Sequence, residues 1–128
     1  MPRILVIDDE KEIRNIVKDH LSDAGYEVVE AEDGEKAIQK INEADNPLEI
    51  SAAICDIRMP KINGIEAIAY FQREYPTLPL IVITGFPDTE LAVSLLNKGV
   101  KDYLVKPVKK EKLLAVVKKA VSERSHKR

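Results

Sequence analysis

Polar residues directly follow four short apolar runs of the sequence. The runs are 4–7, 52–55, 80–83 and 103–105, and the residues after them are Asp8-Asp9, Asp56, Thr84 and Lys106. In an open parallel α/β sheet, ligands bind at the carboxyl ends of the strands, so we expect these side chains to meet in one crevice. Three carboxylates, a hydroxyl and an ammonium together indicate a site for a metal ion and a phosphoryl group.

The three carboxylates predict a bound cation. Asp8, Asp9 and Asp56 cannot all stay ionised at close range unless a positive charge compensates them. Hard oxygen ligands with room left for water and phosphate favour Mg²⁺ over zinc or a softer metal. An aspartate pair alone is as often a helix cap beside a solvated acid, so the other strand ends decide in favour of the metal site.

The same residues could support phosphoryl transfer. A carboxylate can act as a nucleophile and accept a phosphoryl group, which gives an acyl phosphate. That transfer needs a cation on the phosphoryl oxygens and a donor beside them. Lys106 offers an ammonium and Thr84 a hydroxyl, although in isolation a lysine before proline is usually a surface residue and a threonine ending a strand is often a local cap.

Five amphipathic helical patterns alternate with the apolar runs and with a further strand at residues 26–31, and each has apolar residues three and four positions apart. Their apolar positions are Ile13, Ile16, Val17, His20, Leu21 and Ala24; Ala37, Ile38, Ile41 and Ala44; Ile65, Ile68, Ala69 and Tyr75; Leu91, Ala92, Leu95 and Leu96; and Leu113, Leu114, Val117, Ala120 and Val121. Continuously apolar strands between such helices predict a parallel sheet covered on both faces. We therefore predict an α/β fold, a doubly wound (βα)5 sandwich with a five-stranded parallel sheet of order 2-1-3-4-5, the flavodoxin-like arrangement.

Caps and turns mark the boundaries of these elements. Asp33 and Asp88 are candidate N-caps, and Gly25 and Gly99 are candidate helix stops. The segment 45–47, Asp-Asn-Pro, is expected to end the second helix, and the start of the third strand after it is not fixed by the pattern.

Length and composition predict one domain over residues 1–121 and a polar C-terminal tail over 122–128. The single cysteine, Cys55, lies within an apolar run and is expected in the core, which fits a reducing, cytoplasmic compartment. No apolar stretch approaches the roughly 20 residues that cross a bilayer, so we expect no membrane segment.

The charge is unevenly distributed along the chain. Residues 98–128 hold 11 of the 20 lysines and arginines but only 3 of the 22 acidic residues. Such a basic region could attract nucleic acid or an acidic partner, but a solvated face is the commoner meaning. Because Tyr103 is its only aromatic residue, we do not expect direct nucleic-acid binding.

The strand-end residues belong to four longer segments. These are Val6-Ile7-Asp8-Asp9-Glu10, Asp56-Ile57-Arg58-Met59-Pro60 with Gly64, Val82-Ile83-Thr84-Gly85, and Asp102-Tyr103-Leu104-Val105-Lys106-Pro107. In this order and spacing they closely resemble the receiver domain of bacterial two-component response regulators. The resemblance covers residues 3 to about 121.

The resemblance implies a role for each site residue. Asp56 would be the phosphoacceptor, and its donor would be a phosphohistidine on a sensor histidine kinase or a phosphotransfer protein. Asp9 would bind Mg²⁺ directly and Asp8 through water, while Asp56 and the backbone carbonyl of Arg58 would complete the protein ligands. Lys106 would contact the phosphoryl oxygens.

The resemblance also implies a switch. The peptide bond Lys106-Pro107 would be cis. Thr84 would move to the phosphoryl group and Tyr103 would turn inward behind it, although a half-buried aromatic on an edge strand is an equally good reading of Tyr103 alone. This movement would change the face formed by the fourth main helix, the fifth strand and the last helix, which would control a downstream protein or output domain, as a monomer or as a phosphorylation-dependent dimer. Phe86, two residues after Thr84, could limit the access of water to the acyl phosphate.

Other functions remain alternatives. A hydrolase of the haloacid dehalogenase kind would need Asp-x-Asp after its first strand, and Asp8-Asp9 lacks that spacing. A flavin or nucleotide module would need a phosphate cradle there, which Asp8-Asp9-Glu10 would repel. An interaction module of the same fold that works without phosphorylation stays open. We expect a switch with self-phosphorylation and self-dephosphorylation chemistry, and no enzyme acting on a separate substrate.

Overall fold

The computed structural model describes residues 1–58 and 63–127, the last four of these by their backbone alone. Its strands form one five-stranded sheet in which every neighbouring pair is parallel. They are β1 (Arg3–Ile7), β2 (Glu27–Ala31), β3 (Ile50–Asp56), β4 (Leu80–Thr84) and β5 (Asp102–Val105), in the order β2-β1-β3-β4-β5. The predicted fold class and strand order are confirmed.

Helices cover both faces of the sheet. They are α1 (Lys11–Asp23), α2 (Gly34–Ile41), α3 (Asn46–Glu49), α4 (Gly64–Glu74), α5 (Thr89–Asn97) and α6 (Lys110–Lys127). Side chains of α1 and α6 pack on one face, and side chains of α2, α4 and α5 pack on the other. Successive strand residues point to opposite faces of the sheet. Ile4 and Val6 therefore lie in the core beneath α1 and α6, and Leu5 and Ile7 lie in the core beneath α2, α4 and α5.

The helix boundaries agree with the predicted caps. Asp33 and Asp88 each accept a backbone N–H of the helix that follows, at 2.8 and 3.1 Å. Gly25 and Gly99 have positive φ angles of 92° and 106°, which an L-residue adopts only with strain. In the described part of the chain, no helix is both long and apolar enough to cross a membrane.

The segment after α2 differs from the prediction. α2 ends at Ile41, and Ala44, predicted on its apolar stripe, is exposed with a φ of 49°. The segment 45–47 does not end α2 but opens the one-turn helix α3, in which a proline is accommodated in the first turn. Asn46 stabilises this turn because its side chain donates to the Lys40 carbonyl at 2.7 Å and accepts from Arg3 at 2.9 Å.

Three further helices differ in detail. On α4, Ile68 is buried as predicted, but Ile65 and Ala69 are exposed, and Ala67 and Phe71 are buried instead. On α5, Leu95 is buried and Leu96 is exposed. The backbone of α6 continues as helix to Lys127, through the residues expected to form a tail.

Candidate functional site

The register of the sheet brings the four strand ends together. Ile7 lies opposite Cys55, so the residues after them, Asp8 and Asp56, are neighbours at the same edge. In the same way, Asp56 lies opposite Ile83 on β4, and Thr84 lies opposite Val105 on β5. Parallel pairing therefore places Asp8, Asp56, Thr84 and Lys106 at one edge of the sheet, as the sequence predicted.

Asp56 is the buried centre of this edge, with 2% of its surface exposed. Its Oδ1 accepts the backbone N–H of Arg58 at 2.9 Å, and its Oδ2 accepts from Lys106 Nζ at 2.9 Å. The N–H bond fixes the turn that leaves β3. Of the predicted motif, residues 59 and 60 lie outside the described residues, and the Arg58 carbonyl as a metal ligand stays a prediction.

Lys106 enters the site from the end of β5, and its peptide bond to Pro107 is cis, as the resemblance implied. Its Nζ lies 2.9 Å from one carboxylate oxygen each of Asp8, Glu10 and Asp56. Burial lowers the pKa of Lys106, but the close contacts with Asp8, Asp56 and Glu10 outweigh burial and raise it above its ordinary value. The ammonium is therefore charged at neutral pH.

Four carboxylates surround the ammonium. One oxygen each of Asp8, Asp9, Glu10 and Asp56 can be chosen so that all lie within 4.8 Å of one another. Asp8 Oδ2 is buried and has no hydrogen-bond partner, although Lys106 Nζ lies 2.9 Å away. Burial first, and then the charge of Asp56, raises the pKa of Asp8. A cluster of hard oxygen donors with one unpaired buried oxygen fits a divalent metal ion.

Glu10 is the member of this cluster to which the sequence analysis assigned no role. It stands in a quoted segment, but its contact with Lys106 joins residues 96 positions apart. Its neighbours Asp8 and Asp9 were the only sequence signal that could have pointed to it.

Thr84 and Tyr103, the two residues predicted to form the switch, make separate hydrogen bonds. Thr84 is fully buried, and its hydroxyl accepts the backbone N–H of Phe86 at 3.0 Å, which is the local cap considered above. Tyr103 is half-buried and packs against the core, and its hydroxyl accepts the backbone N–H of Asp88 at 3.3 Å. Within the described residues, no hydrogen bond joins the Thr84 and Tyr103 side chains.

Two more side chains border the site. The guanidinium of Arg58 lies 4.9 Å from the ring centroid of Phe86, so the loops after β3 and β4 contact each other beside Asp56. Cys55 is fully buried, and burial raises its thiol pKa well above the ordinary value. The thiol is therefore protonated and part of the core, as predicted.

These buried carboxylates, the lysine and the threonine lie at the carboxyl ends of the strands of a doubly wound α/β domain, which is where proteins of this architecture bind their ligands. Residues 4–118 match the sequence model of the response regulator receiver domain. The chain belongs to the receiver domain family of two-component response regulators.

Individual relatives agree with this family. The chemotaxis protein CheY of Listeria monocytogenes is 31% identical over 121 residues, which cover 94% of this chain and 98% of that protein. An NtrX-like response regulator of Rickettsia typhi is 33% identical over 91% of this chain. A receiver domain protein of Clostridium thermocellum has a solved structure with a TM-score of 0.93 and 29% identity, covering all of both chains.

The relatives differ in length. The chain spans almost all of the CheY relative but only 24% of the NtrX-like relative. The shared part is the receiver domain in both.

Proposed function

We propose that this receiver domain is a phosphorylation switch in which Asp56 accepts a phosphoryl group from a phosphohistidine of a sensor histidine kinase or a phosphotransfer protein. One observation above all supports this assignment. Asp56 is buried at the convergence of the strand ends, with Lys106 Nζ 2.9 Å from its Oδ2. A carboxylate so placed has a cation beside the position that the phosphoryl oxygens would occupy during transfer.

In the transfer, a carboxylate oxygen of Asp56 forms a bond to phosphorus while the bond from phosphorus to the imidazole nitrogen breaks. The electron pair of that bond leaves with the imidazole. Mg²⁺, when bound, neutralises charge on the phosphoryl oxygens. Asp8, Asp9, Asp56 and the Arg58 carbonyl would hold it. Lys106 balances the remaining negative charge.

A donor protein would have to reach the rim beside Lys106, and this rim is apolar. Ile16 on α1 is half exposed, and a cavity of about 70 Å³ between α1 and the segment after β5 is lined by Ile16, His20, Lys106 and Pro107, among others. Exposed apolar surface next to a reactive group suits a partner that docks before transfer.

The signal would leave the site through Thr84 and Tyr103. A phosphoryl group on Asp56 adds charge and strong acceptors, so the Thr84 hydroxyl, which accepts the Phe86 N–H, would turn to donate its own proton to a phosphoryl oxygen. The loop it now caps begins α5, and Tyr103 is bonded to the same loop at Asp88. Movement of this loop would therefore change the position of the Tyr103 ring.

We define the output face as the exposed surface of α5, β5 and α6, which corresponds to the face named in the sequence analysis. Val93, Leu96 and Val105 are large apolar residues exposed there. A groove of about 280 Å³ beside them is lined by Tyr103, Leu104, Val105, Pro107, Val108, Lys109 and Lys112. An apolar surface in contact with the switch tyrosine supports binding of a downstream protein, of an output domain in the same polypeptide, or of a second copy after phosphorylation.

Under this proposal the protein works in the cytoplasm, has no separate substrate, and is not an enzyme beyond its own phosphorylation and dephosphorylation. The test is incubation with Mg²⁺ and acetyl phosphate, followed by intact-mass and peptide mass spectrometry. We expect one phosphoryl group on Asp56 and none on Asp56→Asn. Beryllofluoride with Mg²⁺ should shift the NMR signals of Thr84 and Tyr103.

The interaction module that works without phosphorylation is the other candidate. It would be favoured if wild-type protein showed neither the phosphoryl-Asp56 peptide nor a beryllofluoride-dependent spectral change.

A further inference from the structure

The Lys106 ammonium has three protons, and an oxygen of each of three carboxylates lies 2.9 Å from its nitrogen. It forms hydrogen bonds with only two of the three. It donates hydrogen bonds to Glu10 Oε1 and to Asp56 Oδ2. Asp8 Oδ2 is equally close, yet this ionic contact lacks hydrogen-bond geometry. The ammonium thus donates hydrogen bonds to Glu10 and Asp56, and it meets Asp8 only as an ion pair.

One oxygen of Asp8 accepts no hydrogen bond. Its Oδ1 accepts the backbone N–H of Glu10 at 2.8 Å, while Oδ2 has only the ionic contact with Lys106 and the side chain is 3% exposed. A buried carboxylate oxygen without a hydrogen bond is unfavourable, so this atom has a strong tendency to gain a donor or a cation. It can gain either a proton of Lys106 or a metal ion.

We propose that Glu10 is a positioning residue that holds the Lys106 ammonium by one proton and so keeps Asp8 Oδ2 free for the cation. This inference rests on the proposed function, because it concerns binding of Mg²⁺ at that site. The lysine stem is flexible, and without Glu10 its ammonium needs only a small rotation to bond with Asp8 Oδ2. The cation would then have to displace that bond.

Two other roles of Glu10 would also affect the cation. Glu10 lies within the carboxylate cluster, so it could be a direct ligand, and its charge alone could attract Mg²⁺. Both roles are independent of Lys106. Only the positioning role disappears when the ammonium is absent, so a double-mutant cycle separates it from the other two.

The experiment measures the Kd of Mg²⁺ by isothermal titration calorimetry on the full chain. The variants are wild type, Glu10→Gln, Lys106→Met, the double variant, and Glu12→Gln as a charge-matched control. Glu12 is exposed in the first turn of α1 and lies outside the cluster. We expect Glu10→Gln to raise the Kd about tenfold, as loss of a group that orients a metal ligand does. Glu12→Gln should change it by less than about twofold, and in the Lys106→Met background Glu10→Gln should also have less than about a twofold effect.

The proposal is wrong if Glu10→Gln leaves the Kd of the wild type unchanged, or if its full effect persists without Lys106. Thermal melts in EDTA check that each variant is folded. Absence of Mg²⁺ binding to the wild type would overturn the metal site of the proposed function together with this inference. Normal wild-type binding with no effect of Glu10→Gln would overturn the inference alone.

Discussion

At the scale of single residues, the site holds more negative than positive charge. Lys106 contributes one positive charge, and its raised pKa keeps that charge at neutral pH. Asp8, Glu10 and Asp56 lie within 2.9 Å of it, and Asp9 completes the cluster. One ammonium cannot compensate four carboxylates, so a divalent cation would lower the free energy of the folded protein. Without a cation, ionisation of the most buried acids destabilises the fold.

We predict that Asp8→Asn stabilises the metal-free protein. Burial and Asp56 raise the pKa of Asp8 above its ordinary 3.8, so ionising Asp8 costs folding free energy as the pH rises from 3.8 through the raised value. At pH 7 in EDTA, Asp8→Asn should melt about 4 °C higher than wild type, equivalent to about 1 kcal/mol. The difference should vanish well below pH 3.8, where Asp8 is protonated in both states. A lower melting temperature at pH 7 would contradict this reading of Asp8.

We predict that Phe86→Ala shortens the lifetime of the acyl phosphate. The Arg58 guanidinium lies 4.9 Å from the centre of the Phe86 ring, and we expect this pair to hinder one approach of water to Asp56. Dephosphorylation, measured on purified phosphoprotein after removal of the donor, should become faster by about threefold, the factor that the full energy of an exposed cation–π contact would give. Phe86→Leu is the control, because it keeps bulk but loses the aromatic face. Equal rates in all three proteins would remove Phe86 from the control of hydrolysis.

At the scale of elements, the closest approach is between α4 and the end of β3. A Cβ on Gly64, the first residue of α4, would lie 2.3 Å from the Asp56 carbonyl oxygen and from Ile57 Cα. Both are backbone atoms, so neither can rotate away. The absence of a side chain at Gly64 lets α4 begin directly against the turn that positions Asp56.

We therefore predict that Gly64→Ala lowers the free energy of unfolding by about 3 kcal/mol and slows phosphorylation of Asp56, because the turn after β3 must move. The matched control is Gly85→Ala at the end of β4, where the nearest atom to a new Cβ is Lys106 Cδ at 3.8 Å, an ordinary contact. Urea denaturation and the rate of labelling by acetyl phosphate measure the two effects. A Gly64→Ala protein as stable as the control would show that the turn can relax without cost.

Local patterns explain which elements the sequence could predict. Caps and strand-end residues follow from apolar runs and local turn chemistry, which are properties of neighbouring residues, and the strand order follows from the doubly wound topology that the alternating pattern predicts. The buried face of α4 depends instead on packing against the sheet, which buries Phe71 and leaves Ile65 exposed. Glu10 was missed for a related reason, since its contact with Lys106 exists only once β1 and β5 end at the same edge.

At the scale of the whole molecule, the site is built from residues that lie far apart in the sequence. Asp8 follows β1 and Asp56 ends β3, while Lys106 follows β5, so the metal-binding oxygens are close together only in the folded chain. A ligand that binds the folded state alone adds its binding free energy to the stability of the fold. Metal binding and global unfolding must therefore be linked.

We predict that Mg²⁺ raises the melting temperature of the wild type, and that this gain declines as the pH falls. At 100 times its Kd, a ligand of the folded state adds about 2.7 kcal/mol. Carboxylate ligands must be deprotonated, and the pKa of Asp8 is raised by burial, so the gain should already decline at pH values above 3.8. The measurement is a set of calorimetric melts with Mg²⁺ or EDTA between pH 4 and 8 in constant ionic strength. Asp8→Asn should lose most of the gain at every pH, whereas a gain equal to that of the wild type would mean that Mg²⁺ stabilises the protein somewhere other than this cluster.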